Sequence, residues 1–239
     1  MPNSRSKLWA GASGYSFREW CGPFYPEKMK PDAMLPFYAK QLSTVEINNT
    51  FYRMPKRTVL ESWAACTPET FRFAIKASRR ITHMSRINAE SCKEPLGYLY
   101  ENLQGLGAKR GPVLFQLPPN LKKDLPRLEA FLTLLPANHE AAFEFRNDSW
   151  FGDDVYAALK GVGAALVLSE REDNAPPPLV ETAPWGYLRL RLENYSDADL
   201  AAWAKTIART GWKDTYVYFM HEPTAPGYAR SLMQLAQQT

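Results

Sequence analysis

Eight short apolar stretches recur along the chain, and most are followed by an amphipathic segment with helical spacing. Short apolar runs that alternate with helical segments are typical of parallel strands joined by crossover helices. Eight such strands within 239 residues predict a (β/α)₈ TIM barrel, a fold of the α/β class. The expected strands cover residues 8–12, 44–48, 72–76, 113–116, 141–145, 165–168, 187–190 and 216–219.

The segments between these strands predict most of the outer helices. We expect helices at residues 32–42, with Asp32 as the cap, and at 58–65, 96–106, 124–135, 153–162, 197–210 and 227–237. The connection 174–184 is rich in proline and has no helical pattern, so the helix after the sixth strand is expected to be reduced or missing. No internal repeat or linker interrupts the pattern, which favours a single domain over residues 1–239.

Charge and cysteine content narrow the class of partner. The net charge is +4, and basic residues are scattered among acidic ones, which favours a small anionic ligand over a polybasic nucleic-acid surface. The chain has no apolar run that could span a membrane and no apolar secretory leader near its start, so a cytoplasmic protein is expected. Its 3 cysteines are widely spaced, as free thiols in a reducing compartment would be.

A set of short motifs occurs in a fixed order along nearly the whole chain. They are GASGY (11–15), Trp20 with GPFYP (22–26), VEINNTFYRMP (45–55), FRFAIK (71–76), TH (82–83), QLPP (116–119), EFR (144–146), SW (149–150), YLR (187–189), YS (195–196), WA (203–204) and YF (218–219). In this combination the chain resembles the YecE-like family, domain of unknown function 72. The resemblance implies a TIM barrel without a settled activity.

The chain departs from the family pattern at two predicted strand ends. Arg191-Leu192-Glu193 stands where the family tends to have His-Gly after the seventh strand. After the last strand, Met220-His221-Glu222 replaces the family's usual Asn-Asn-Asp. Both changes fall where a TIM barrel carries its active site, so this protein is expected to have altered or lost an activity of its relatives.

Side-chain parity identifies a candidate site independently of the family. The loops after the strands converge at the C-terminal end of a barrel, and polar residues of alternate parity must point into its mouth. The expected catalytic groups are Glu46, Glu144, Lys76 and His83. The expected substrate-binding groups are Asn48, Tyr52, Gln116, Arg146, Trp150 and Arg189, with Arg191, His221 and Glu222 at further strand ends. His139 precedes the fifth strand and should lie at the opposite end.

Two interpretations of these charged residues remain open. Glu46, Lys76, Glu144 and Arg146 could neutralise one another in a buried ion network that serves stability. Alternatively, part of the network faces a pocket, where carboxylates transfer protons and Arg146, Arg189 and Lys76 bind an anion. The two interpretations do not exclude each other.

Other chemistry has weaker support in the sequence. No ligand motif of fixed spacing joins His83, His221, Glu46 and Glu222, so neither a metal nor another cofactor is expected. Lys76 could act as a Schiff-base nucleophile, but nothing in the sequence indicates a lowered pKa. The aromatic residues Trp20, Phe24, Tyr25, Tyr52 and Trp150 could stack on a sugar or base, or form a small loop core.

Two hypotheses about function follow. The first is an enzyme, a hydrolase, isomerase or lyase of TIM-barrel type, that acts on a small phosphate-, sugar- or nucleotide-like anion. In it, Glu46 and Glu144 form the acid/base pair and Arg146 binds the anion. The second is a barrel that binds a ligand or a nucleic acid without turnover. A pocket lined by both carboxylates would favour the enzyme, and a broad basic aromatic surface would favour the binder.

Overall fold

The computed structural model describes residues 6–170, 177–220 and 223–238. It confirms a closed barrel of eight parallel strands in sequential order, in which the last strand pairs with the first. The strands are β1 (Lys7–Ala12), β2 (Thr44–Ile47), β3 (Arg72–Lys76), β4 (Arg110–Gln116), β5 (Ala141–Glu144), β6 (Ala165–Ser169), β7 (Trp185–Leu190) and β8 (Asp214–Phe219). The eight strands expected from the sequence are all present, with ends that shift by a few residues.

Helices pack around this barrel. They are α1 (Pro31–Gln41), α2 (Arg57–Ala65), α3 (Ala89–Leu103), α4 (Leu125–Leu132), α5 (Asp153–Gly161), α6 (Asp197–Ala208) and α7 (Ala225–Gln237). Between β6 and β7 the described residues, 170 and 177–184, contain no helix, as the proline-rich composition predicted. Residues 171–176 of that connection lie outside the described part of the chain.

Two helix starts differ from the sequence-based expectation. Asp32 is not the cap of α1, because the helix begins at Pro31, whose ring fixes a helical φ at a first-turn position, and Lys30 takes the cap position. Helix α3 begins at Ala89, well before the expected residue 96. Its cap is Asn88, whose side chain accepts a hydrogen bond of 3.1 Å from the Ser91 amide.

The seam between β1 and β2 depends on one glycine and one tyrosine. A Cβ on Gly11 would lie 2.1 Å from the carbonyl oxygen of Thr44, so only glycine permits this approach. The hydroxyl of Tyr38 donates to the same oxygen (2.9 Å) and accepts from the Ala12 amide (2.8 Å). These contacts fix the strand ends from which Ser13 and Glu46 reach the barrel interior.

The barrel interior changes character from one end to the other. A buried cluster of mostly aromatic and small residues fills its lower part: Trp9, Ala74, Leu114, Ala142, Ala165, Val167, Trp185, Tyr187, Tyr216 and Tyr218. Two residues further along several of these strands stand Lys76, Gln116, Glu144 and Arg189, in a polar layer with Glu46. We call the C-terminal strand ends, with this layer, the mouth, and the N-terminal strand ends the floor. His139 directly precedes β5, at the floor, as expected.

Candidate functional site

Arg189 is the centre of the polar layer. Its Nε and Nη2 donate to Glu46 Oε2 (3.0 Å) and Oε1 (2.8 Å), and its Nη1 donates to Glu144 Oε2 (2.7 Å). All three side chains are buried. The sequence predicted a network of Glu46, Lys76, Glu144 and Arg146. The structure corrects the identity of the cation, because the guanidinium of Arg189 binds both carboxylates. A planar fork of donors matches two carboxylates better than a lysine ammonium does.

Both carboxylate oxygens of Glu46 already accept hydrogen bonds. Beside Arg189, it accepts hydrogen bonds from Tyr187 (2.6 Å), Ser13 (2.8 Å) and Asn48 (3.1 Å). Burial opposes its ionisation, but the charge of Arg189 and these hydrogen bonds outweigh burial and hold the pKa of Glu46 below its ordinary value. Glu46 is thus an ionised group that orients its neighbours, and its pKa is shifted away from proton exchange near neutral pH.

Glu144 is less completely engaged. Its Oε2 accepts from Gln116 Nε2 (2.9 Å) as well as from Arg189. Its Oε1 lies 3.6 Å from Arg191 Nη2, beyond normal hydrogen-bond distance. Arg191 itself is only partly buried, and its Nε is a buried donor without a hydrogen-bond partner among the described groups. Glu144 and Arg191 therefore keep hydrogen-bonding capacity that Glu46 and Arg189 do not.

Lys76 lies in the same layer but pairs with no carboxylate of the described chain. Its Nζ donates to the amide oxygen Oε1 of Gln116 (2.9 Å) and lies 4.6 Å from the ring centroid of Phe51. Burial, the charge of Arg189 and that of Arg146 lower the pKa of Lys76, while Glu46 and Glu144 oppose the shift. The lysine that was expected to neutralise Glu46 is instead held by a neutral side chain.

His83 lies on a π-helical turn, Arg80–Met84, above β3. Its Nδ1 shares a hydrogen bond of 2.9 Å with Thr82 Oγ1, and its ring meets Phe51 edge-on at 4.9 Å. Burial and the charges of Lys76 and Arg146 lower the pKa of His83, so the imidazole is neutral at pH 7. Such π-turns are frequent at functional sites.

The remaining expected residues divide into rim and core. Arg146 is exposed at the rim, and Tyr52 is 71% exposed with the guanidinium of Arg79 6.0 Å from its ring. Trp150 is fully buried, stacks on Phe145 and donates from Nε1 to the Leu121 carbonyl (2.7 Å), so it supports a loop and offers no binding surface. His221 and Glu222 lie outside the described residues.

A cavity of about 180 Å³ opens between the loops that follow β1 and β2. Ser13 and Asn48 line its inner end, and Tyr15, Phe17 and Trp63 provide apolar walls. Asn48 Nδ2 must face Glu46, which can only accept, so Oδ1 points away and is buried without a donor among the described residues. Asn48 therefore borders a cavity with apolar walls, and its own Oδ1 is shielded from solvent.

Several site residues escaped the sequence-based reasoning. Tyr187 precedes Arg189 by two positions and so shares its inward face, a parity signal that could have identified it. Glu170, just past β6, is buried and accepts from the Arg191 amide (3.0 Å) and the Tyr195 hydroxyl, and burial raises its pKa. Trp63 belongs to α2, and its place in the cavity depends on tertiary packing that no local pattern encodes.

Two further features concern ligands and membranes. Within residues 6–170, 177–220 and 223–238, no three His, Cys, Asp or Glu side chains come together in a way that could hold a metal ion. None of the helices in those segments has the length and apolarity needed to cross a bilayer.

Sequence comparison identifies relatives of this chain. The profile of a family described as "Protein of unknown function DUF72" matches residues 9–239. UPF0759 protein YunF of Bacillus subtilis is 25% identical over 97% of this chain and 85% of its own length. UPF0759 protein YecE of Escherichia coli is 30% identical, over 48% of this chain and 42% of its own length.

Solved structures give the same result for the fold. A DUF72 family protein from Thermotoga maritima superposes with a TM-score of 0.80 at 25% identity, over 97% of this chain and 98% of the other. A DUF72 family protein from Enterococcus faecalis gives a TM-score of 0.80 at 18% identity, over 99% of this chain and 100% of the other, and supports the fold alone.

Proposed function

Since this chain belongs to the DUF72 family of proteins of unknown function, we propose its function from the geometry of its mouth: an enzyme that acts on a small anionic substrate. One observation carries the proposal. The buried carboxylates are committed to Arg189, so Lys76 and Arg191 remain as positive groups without a carboxylate at hydrogen-bond distance among the described residues, and the exposed Arg146 adds its charge beside Lys76. Unsatisfied donors at the C-terminal end of a barrel attract anions.

The anion-binding groups are Arg146 and Arg191, with Lys76 beside them. Arg191 has the best-defined capacity, because its buried Nε donates to no described group and its Nη2 reaches Glu144 only at 3.6 Å. The sequence suggested Arg189 and Gln116 as substrate ligands. We assign them instead to supporting the residues that contact the substrate. The polar atoms of Arg189 and Gln116 already bind the carboxylates and Lys76.

Proton transfer is assigned to Glu144 and His83. Glu144 keeps one oxygen without a short hydrogen bond, whereas Glu46 is held as an anion by Arg189, Tyr187 and Ser13. His83 is neutral at pH 7 and can accept a proton. Glu46 then takes the part of a positioning residue, which holds Arg189 and Asn48 in place.

The uncharged part of the substrate fits the cavity between the β1 and β2 loops. Its apolar walls, including Trp63, favour carbon or ring surface. The substrate class is therefore a small anion with an apolar skeleton.

Isothermal titration with inorganic phosphate tests the anion-binding part. We expect Arg146→Gln/Arg191→Gln to weaken phosphate binding at least about tenfold, since hydrogen bonds to charged groups contribute about 1.5–3 kcal/mol. Arg110→Gln, at the floor, is the matched control and should leave the affinity unchanged. Equal loss in both variants, or no binding by the wild-type protein, would contradict the proposal.

A non-catalytic anion-binding barrel is the second candidate. It is favoured by the fact that both buried carboxylates accept from Arg189, an arrangement that stabilises a binding site without leaving a strong general base. Screening of phosphorylated metabolites for turnover separates the two candidates once a ligand is found. In a binder, the ligand is recovered unchanged after incubation with the wild-type protein and with Glu144→Gln alike. In an enzyme, Glu144→Gln abolishes turnover.

A further inference from the structure

Lys76 is an unusual lysine for its position. It is partly buried in a polar layer that holds two carboxylates, yet its Nζ donates to a neutral amide oxygen and contacts the face of Phe51. Buried lysines ordinarily find a carboxylate or several carbonyl groups. Lys109 does so: its Nζ donates to the carbonyls of Ala64 (2.6 Å) and Thr67 (2.7 Å) and pairs with a glutamate.

The surrounding contacts fix this arrangement. The ionised Glu144 can only accept, so it binds the Nε2 amino group of Gln116, and the Oε1 atom of that amide must then face Lys76. The carboxylates cannot reorient towards Lys76 without giving up Arg189, whose donors hold both of them at 2.7–3.0 Å. The amine of Lys76 is therefore oriented by a neutral acceptor, whereas the nearby carboxylates of Glu46 and Glu144 bind Arg189.

Such surroundings favour the neutral, nucleophilic form of an amine. Burial and the positive charges of Arg189 and Arg146 lower the pKa of Lys76, against the opposing effect of Glu46 and Glu144. A lysine activated by a desolvated site next to other cations is the usual nucleophile for carbonyl substrates. The same cations would hold an anionic group of the substrate close to the amine.

We propose that Lys76 Nζ is a nucleophile that forms an imine with the carbonyl group of an anionic aldehyde, ketone or 2-oxo acid. That the carbonyl compound is an anion rests on the proposed function, whereas the nucleophilic role of Lys76 is argued independently of it. It narrows the substrate class from small anions to anions that carry a carbonyl group.

The step balances without an added reagent. The Nζ lone pair attacks the carbonyl carbon, the C–N bond forms, and the carbonyl electron pair moves to oxygen; Nζ gives up one proton and the oxygen takes one, which leaves a neutral carbinolamine. Loss of that hydroxyl together with the second Nζ proton releases water and leaves the imine. His83 packs against the same Phe51 ring as Lys76 and is the titratable group that we assign to exchange these protons with solvent.

Reductive trapping tests the proposal. The full-length protein is incubated at pH 7 with pyridoxal phosphate or with pyridoxal, reduced with borohydride, and mapped by peptide mass spectrometry. Pyridoxal phosphate is an anionic aldehyde, and pyridoxal lacks the phosphate group. We expect Lys76 to carry several-fold more adduct than Lys109 or the exposed Lys93, because a lowered pKa raises the fraction of neutral amine at pH 7. Lys76→Arg should lose the mouth adduct and remain folded by circular dichroism.

Competition separates this inference from the proposed function. Excess inorganic phosphate should reduce labelling of Lys76 by pyridoxal phosphate and leave its labelling by pyridoxal unchanged. Labelling of Lys76 no greater than that of Lys93 by either aldehyde overturns the inference, even if phosphate binds at the mouth. Strong labelling of Lys76 that phosphate does not affect supports the nucleophile and contradicts the anion site.

Discussion

Charged side chains lie at both ends of this barrel, but their charges are compensated by different partners. At the mouth, Glu46 and Glu144 meet on one guanidinium, that of Arg189, at 2.7–3.0 Å. The hydrogen bonds of that guanidinium and its neighbours outweigh burial and lower the pKa of Glu46. Both carboxylates there bind a cation, although Glu144 keeps one oxygen without a short hydrogen bond.

At the floor the carboxylates accept from aromatic side chains instead. Trp9 Nε1 donates to Asp214 (2.9 Å), and the Tyr216 hydroxyl donates to Glu140 (3.2 Å). The nearby cations lie over the Trp9 ring, with Lys7 Nζ at 3.9 Å from its centroid. Burial accordingly raises the pKa of Glu140, opposite to the shift of Glu46.

This difference separates two ways in which the fold compensates buried carboxylates. Glu46 lies on β2 and Glu140 directly precedes β5, and burial alone would raise the pKa of both carboxyl groups. Of the two ends, the mouth adds a cation, Arg189, that donates two hydrogen bonds to Glu46. Lys76 and Arg191, at the same end, keep N–H donors that no described carboxylate accepts at hydrogen-bond distance. Positive donors without a carboxylate at the mouth are what the proposed anion site requires, whereas stability alone would be served by pairing them.

The largest expected effect comes from Arg189→Met. The change leaves Glu46 and Glu144 buried without their cation, and breaking a buried pair in this way costs about 3–5 kcal/mol. The free energy of unfolding from urea denaturation measures it. Arg191→Met is the matched control, since that guanidinium is 20% exposed and 3.6 Å from Glu144, and should cost less than about 1 kcal/mol. Equal losses would mean that Arg189 is not the centre of the network.

Glu46→Gln should have a smaller effect of the same sign. Arg189 keeps Glu144, so we expect a loss of about 2 kcal/mol at pH 7. The folded pKa of Glu46 lies below its ordinary 4.5, so its contribution is fully present above about 4.5 and is lost as the pH falls through the folded pKa. Denaturation from pH 7 to 3 should therefore show the difference between wild type and variant shrinking. A constant difference would contradict an ionised Glu46.

The double variant Glu46→Gln/Lys76→Met distinguishes two partners for Glu46. If Lys76 were the partner, removing both charges would restore stability. Because Arg189 is the partner, Lys76→Met should not rescue Glu46→Gln, whereas coupling between Glu46→Gln and Arg189→Met should be strong. Double-mutant cycles in urea give both coupling energies. Rescue by Lys76→Met would overturn the network described here.

Much of this architecture could be predicted from the sequence, and the failures have physical causes. The alternation Glu46 and Asn48 against Val45 and Ile47 correctly placed the polar pair inside the barrel, because strand parity is local. Which cation meets Glu46 is not local. Lys76 stands on the adjacent strand and was the natural choice, but Arg189 reaches Glu46 from across the barrel.

Trp150 and Asn48 illustrate the same limit for the candidate site. Both follow strands at the C-terminal end, and sequence position alone assigns both to the mouth. The structure buries Trp150 against Phe145, while Asn48 keeps an oxygen directed away from Glu46. Whether a loop side chain packs inward or faces a cavity depends on its tertiary neighbours, so strand position predicts the region of a site but not its members.

The smallest effect expected is a stabilisation at the floor. The folded pKa of Glu140 is raised by burial and by Asp214, against the opposing effects of Tyr216, Arg72 and Arg110, so the fold disfavours its charge. That penalty is absent below about 4.5 and develops as the pH rises through the folded pKa. Glu140→Gln removes the charge and should therefore raise the free energy of unfolding by about 0.5 kcal/mol at pH 7, with no gain at pH 4. Urea denaturation at both values measures it, and Glu46→Gln, measured beside it, should change in the opposite direction at pH 7. If both variants lose stability at pH 7, the two ends of the barrel do not differ in the way their charges are compensated.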